Sequence, residues 1–184
     1  QLVRDWRSHR LRPQFQDLVL KAVARALTEH PRANSHMADG EVREIANVNL
    51  GFALAVPDGL LVPVIREAEG KSLLEIAQHV REVAKRVREG NQTVEDLSWG
   101  TFTVTGLGSF GVDAFTPLLN PPEVGIIGFG RIVQKPAVVD SEIVVRSMLW
   151  LSLTFDHRGW DGAPAGEFLH AVSSHLSDPG WMVD

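Results

Sequence analysis

The chain has 184 residues, 44% hydrophobic and 22% charged, which is enough for one domain with a substantial core and ordinary for a globular protein. Asp and Glu number 23 against 18 Lys and Arg, and the formal net charge of −5 argues against general binding to nucleic acid or anionic membranes. Cysteine is absent, which excludes disulfides, thiolate metal sites and a cysteine nucleophile, and no apolar run approaches the roughly 18 residues of a membrane-spanning helix.

Residues 1–14 read as a lead-in, with Arg4, Arg7, Arg10 and Arg12 but no apolar periodicity, and a start on Gln1 rather than Met suggests a piece of something longer. From Phe15 to Leu27 apolar residues recur at helical spacing until Pro31 closes the run. Asn34 to Glu44 reads as polar loop. Val48, Leu50, Phe52, Leu54 and Val56 alternate as in a half-buried strand, Pro57-Asp58-Gly59 supplies a turn, and Leu60 to Ile65 is the returning strand. Ser72 with Glu75 three residues on predicts a capped helix, with an apolar stripe through Leu73, Ile76, Ala77, Val80, Val83, Ala84 and Val87 and a stop at Gly90. Thr101 to Thr105, Val124 to Ile132 and Ile143 to Phe155 are predicted strands, the last two joined around Asp140-Ser141. A final helix runs from Pro164 to Leu176. Strands that suit antiparallel pairing, without strict βαβ alternation, predict an α/β two-layer sandwich whose mixed, largely antiparallel sheet is covered by helices.

Gly106, Gly108 and Gly111 spell GxGxxG after a strand, but Pro117, Pro121 and Pro122 forbid the crossover helix a dinucleotide site requires, so the glycines are read as a tight turn. His9, His30, His36, His79, His170 and His175 are scattered, and His170 and His175, five apart on one helix, face different ways; no metal site is expected. His157 differs in setting, between a strand and a helix, with Gly159 and Gly162 nearby and Asp161 four residues on. Residue physics leaves two readings open: a general base held by a carboxylate, or an Asp161 that caps the helix while His157 packs.

Asp156-His157-Arg158-Gly159-Trp160-Asp161-Gly162-Ala163 resembles the DHRxxDGA motif of the dihydrolipoamide acyltransferases, the E2 components of 2-oxo acid dehydrogenase complexes, whose fold is chloramphenicol-acetyltransferase-like. Three further stretches are similar to that family: Gly100 to Gly108, Phe115-Thr116-Pro117 through Asn120-Pro121-Pro122-Glu123, and Asp58 to Ile65. The resemblance covers about Phe15 to Pro179 and implies a catalytic domain over 15–184. It implies that His157 is the catalytic base, Thr105 the hydroxyl stabilising the tetrahedral intermediate, and Asp161 a structural aspartate held by an arginine. Gly106, Ser109 and Gly130 fall where the family's coenzyme A channel runs. Imidazole, with an ordinary pKa of about 6.5, suits removal of a thiol proton of pKa about 8.5.

By the same resemblance the acyl group, acetyl or branched-chain, passes between coenzyme A and a lipoamide arm carried on a separate domain. The active sites form between subunits of a homotrimer, which some members assemble into a 24-mer or 60-mer. E1 and E3 components bind through other domains, and the setting is bacterial cytoplasm or an organellar matrix. Two other readings are an inactive scaffold core of the same fold and an antibiotic-modifying acetyltransferase, the latter disfavoured by the Phe115 to Glu123 match. Gly159-Trp160 departs from the usual aliphatic pair and would either pack the loop or narrow a channel.

Overall fold

Phe15–Glu29 (α1) is apolar on nearly every side, and Val19, Leu20, Ala22, Val23, Ala24, Ala26 and Leu27 are all essentially inaccessible. A helix of that character belongs inside the protein rather than on it. In the computed structural model, which describes residues 12–57 and 59–183, α1 packs against both other helices, Leu73–Arg88 (α2) and Gly162–Ser177 (α3). The α2 start is as predicted: the Glu75 amide donates to Ser72 Oγ at 3.3 Å and the Ser72 amide to Glu75 Oε2 at 2.7 Å.

The strands in chain order are Ser35–Ala38 (β1), Glu41–Glu44 (β2), Leu50–Phe52 (β3), Leu54–Val56 (β4), Gly59–Leu61 (β5), Val64–Ile65 (β6), Phe102–Gly106 (β7), Gly125–Phe129 (β8), Val133–Val139 (β9), Glu142–Met148 (β10) and Leu151–Phe155 (β11). The central sheet has the order β11-β8-β7-β3-β6; its two inner ladders are parallel and its outer ladders antiparallel. The hairpins β1–β2, β4–β5 and β9–β10 are all antiparallel. The result is the mixed, helix-covered two-layer sandwich expected.

Four local expectations are corrected. Asn34 to Glu44 is not plain loop but the β1–β2 hairpin, turned by Asp39 and Gly40 at φ of 54° and 79°. The run from Val48 to Val56 divides at Ala53, β3 staying in the central sheet and β4 leaving it to pair with β5; Leu60 to Ile65 divides likewise. Ile143 to Phe155 is two strands in two sheets, because the chain leaves the β9–β10 hairpin at Leu149-Trp150 and rejoins the central sheet as β11. Strand β9 itself was not expected; it tolerates Pro136 as one half of an isolated two-stranded ribbon.

Alternation gives the central sheet two distinct faces. Phe102 and Val104 face the helices, where the Phe168 ring lies 5.4 Å from Phe102 and 5.7 Å from Trp160. Thr103, Thr105, Ile126, Gly128 and Thr154 face the other way, under the irregular segment 112–123. Phe115 of that segment sits where a Cβ on Gly128 would come within 2.8 Å of its ring, and Thr154 Oγ1 donates to the Pro117 carbonyl at 2.7 Å.

Candidate active site

The loop after β11 is built around Asp156. Its carboxylate accepts from the Arg158 amide at 2.9 Å and from the Arg158 guanidinium at 2.6 and 3.0 Å, and its carbonyl accepts from the Gly159 amide at 2.8 Å. The Arg158 guanidinium holds the Asp156 carboxyl below the ordinary carboxylate range. Gly159 is needed for close approach: an added Cβ would stand 2.9 Å from Val124 Cγ1 and 3.2 Å from the Asp156 carbonyl. Trp160 is buried, stacks edgewise on Phe155 and Phe168, and donates from Nε1 to the Val124 carbonyl at 3.1 Å. Its bulk packs the loop. Gly162 has open space around it and no positive φ.

On this anchored loop His157 is presented outward, its side chain 72% exposed, with Nδ1 3.3 Å from Asp161 Oδ1. Asp161 occupies the N-cap position of α3 but makes no capping bond with its side chain. The Asp161 carboxylate thus stands beside the imidazole rather than capping α3, and His157 does not pack inward. The arginine partner implied for Asp161 falls in the lead-in, residues 1–11 of which lie outside the described residues.

Thr105 stands elsewhere. It lines a cleft of about 380 Å³ whose floor includes Thr103 and Ile126 and whose wall includes Phe115, Leu118 and Asn120. In the sheet Thr105 is level with Gly128, and Gly128 with Ser152 on β11. His157 lies five residues past Ser152 and two strands away, which places it on the order of 15–20 Å from Thr105 within one chain. The fold does not bring these two residues together by itself.

Gly106 and Gly130 lie near Thr105, where backbone and rings crowd them: a Cβ on Gly106 would strike the Phe129 ring, and one on Gly130 the Asp113 carbonyl. Ser109, on the short 3-10 turn Gly108–Phe110, is exposed. No crossover helix follows these glycines.

Sequence reasoning assigned no role to the residues between the clefts. Beside the first is a second cleft of about 520 Å³, lined by His36, Trp99, Gly100 and Glu123 and sharing Leu60, Val62 and Asn120 with its neighbour. Glu123 is 5% exposed; burial pushes its carboxyl up to about 7 against the opposing bonds from Thr103 and Asn120. A lone carboxylate opening the apolar run Val124 to Ile127 is the signal that marks it in the sequence.

A mixed sheet with helices on one face, a largely apolar cleft on the other and an outward histidine on the loop after β11 defines an α/β sandwich core. The family model for the 2-oxoacid dehydrogenases acyltransferase (catalytic domain) matches residues 2–183, and the chain belongs to that family. It is 47% identical over 165 residues to the dihydrolipoyllysine-residue acetyltransferase component of the acetoin cleaving system of Bacillus subtilis, covering 90% of this chain and 42% of that protein. The chain spans about two fifths of the length of the curated relatives it matches. The crystal structure of a probable dihydrolipoamide acetyltransferase from Listeria monocytogenes superposes with a TM-score of 0.89 at 38% identity, covering 94% of this chain and 74% of that one. The cubic core of a pyruvate dehydrogenase multienzyme complex also superposes at 0.89, with 36% identity and coverage of 95% and 73%. Chloramphenicol acetyltransferase, at a TM-score of 0.54 and 16% identity over 89% of this chain and 78% of that one, shares the fold.

Proposed function

We propose that this chain transfers an acyl group between coenzyme A and dihydrolipoamide, with His157 as general base and Thr105 as the hydroxyl that stabilises the oxyanion. The observation that carries the reading is the intact DHRxxDGA loop of a dihydrolipoamide acyltransferase family member, held so that His157 faces outward beside Asp161. With Nδ1 3.3 Å from Asp161 Oδ1, the tautomer protonated on Nδ1 leaves the lone pair of Nε2 free to take the thiol proton of coenzyme A. The sulfur attacks the thioester carbonyl of the acyl-dihydrolipoamide, and the Thr105 hydroxyl donates to the developing oxyanion, a contribution of about 2.7–4 kcal/mol where such donors have been removed. Collapse breaks the carbon–sulfur bond to the lipoyl arm, and the imidazolium returns the proton to the departing thiolate. Acetyl is the favoured acyl group, since the relatives at 47% and 41% identity are acetyltransferase components.

The separation of His157 from Thr105 supports a site shared between copies of the chain, arranged as a homotrimer. So does the β9–β10 ribbon, whose Val138, Ile143 and Val145 are 74%, 78% and 69% exposed on a two-stranded sheet that joins no other among the described residues. Such a ribbon is marginal alone and exposes an apolar face that favours cover. Coenzyme A then runs past Gly106, Ser109 and Gly130, and the lipoyl arm and the contacts to E1 and E3 components belong to domains beyond this stretch. No helix among the described residues is long and apolar enough to cross a membrane. The bacterial relatives support a cytoplasmic setting.

His157→Ala is expected to lower acetyl-CoA-dependent acetylation of dihydrolipoamide by about 10²-fold or more, with unchanged circular dichroism. A wild-type protein inert with acetyl, branched-chain acyl and succinyl donors would instead identify an inactive scaffold core.

A further inference from the structure

Glu123 is a buried carboxyl that the proposed chemistry does not use. It stands where segment 112–123 enters β8, and its two oxygens take different neutral partners. Thr103 Oγ1 donates to Oε2 at 2.6 Å; Asn120 Nδ2 donates to Oε1 at 3.3 Å and lies 3.5 Å from Thr103 Oγ1. Gly100 makes room for the carboxyl, since an added Cβ there would be 2.7 Å from Oε1. His36, whose backbone bridges to Glu123, sends Nε2 to the Gly100 carbonyl at 2.8 Å rather than to the carboxyl.

We propose that Glu123 is a positioning residue that clamps segment 112–123, the outer wall of the cleft, against the strand carrying Thr105. The proposal rests on reading that cleft as the acyl-transfer site. Thr103 and Thr105 lie two residues apart on one face of β7, while Asn120 belongs to the wall together with Leu118 and Leu119. Fixing Thr103 and Asn120 to one carboxyl therefore fixes the wall's distance from Thr105. Both oxygens are engaged in either charge state: the carboxylate accepts from Thr103 and Asn120, and the protonated carboxyl can donate to Thr103 Oγ1 while its carbonyl oxygen still accepts from Asn120. Burial raises the Glu123 pKa to about 7, so the closed clamp favours the proton, whereas opening the wall to water favours the ionised carboxylate. The wall is held most firmly below that pH and opens more readily above it.

Two measurements test this. Hydrogen–deuterium exchange across 112–120, corrected for intrinsic rates, should quicken in wild type as pH rises from about 5 to about 8, and should be fast and flat in Glu123→Ala. In kinetics near pH 6, Glu123→Ala should raise KM for the acyl substrates about threefold to tenfold with little change in kcat, and the difference should narrow near pH 8. Thr103→Val should reproduce the KM increase, and it carries the test should the Ala variant fail to fold. Unchanged exchange in Glu123→Ala, or altered exchange with unchanged KM, overturns the clamp. A wild type without acyltransferase activity overturns the functional reading instead, and the exchange data then still decide whether Glu123 holds the wall.

Discussion

His157, with its side chain 72% exposed, contributes little packing, and the effort of the fold around it goes into its neighbours. Asp156 ties down Arg158, Trp160 fills the core, and Arg32 Nε donates to the Gly159 carbonyl at 2.8 Å. Glu123 is the opposite kind of residue, buried and titratable, and its sign can be worked out. Its carboxyl, at about 7 when folded, lies above the 4.5 of a free glutamate. Below about pH 4.5 both folded and unfolded chains are protonated and there is no penalty. Between there and about pH 7 the unfolded chain ionises first and stability falls; above that the full penalty persists, at most roughly 3 kcal/mol. Glu123→Gln keeps the shape and cannot ionise. Its melting temperature relative to wild type should therefore become more favourable between about pH 5 and pH 8, as differential scanning calorimetry would report.

The element on which the site depends is the junction of β11, its loop and α3. Gly159→Ala forces a Cβ against Val124 and the Asp156 carbonyl, an overpacking expected to cost about 1–3 kcal/mol. Trp160→Ala removes a buried indole from between Phe155 and Phe168 and should cost about 3–5 kcal/mol. Urea unfolding of both variants checks these values; a Trp160 variant as stable as wild type would contradict the packing role. Helices were read well at this scale because each carries its own signals: α2 has a reciprocal Ser72–Glu75 cap, and α1 and α3 have dense apolar faces. Strands were read less well. The run Ile143 to Phe155 keeps its strand character while changing sheets, and local pattern holds no record of which neighbour a strand pairs with. The β1–β2 hairpin was legible and passed over, since Asp39-Gly40 is a hairpin turn pair between residues that are merely polar on one face.

At the scale of the whole molecule, the proposal has a second copy of the chain complete the site. Mixed assemblies of His157→Ala with Thr105→Val would hold some sites where an intact histidine meets an intact threonine. Activity should reappear on co-refolding two variants that are each inactive alone; no recovery would place both residues in one chain's site. Val145→Lys, on the exposed face of the β9–β10 ribbon, should shift the assembly towards monomer in sedimentation velocity and lower activity with it, while the monomer keeps its circular dichroism. An oligomer unaffected by that charge would remove the ribbon from the interface.

By itself the sequence determined the class of fold, the helix ends and the loop that presents His157, because these follow from periodicity, caps and a contiguous motif. It also carried the family, through motifs spread over most of the chain. Only the tertiary structure decided that Asp161 stands beside His157 rather than capping α3, that Trp160 packs inward, and that Thr105 sits two strands away from the strand leading into His157 and out of register with it. It alone revealed the Glu123 cluster, which joins β7 to a segment with no regular structure. The reason is the same in each case: contacts between residues distant in sequence depend on strand order and register, and those are set by the packing of the whole sheet rather than by any one stretch of it.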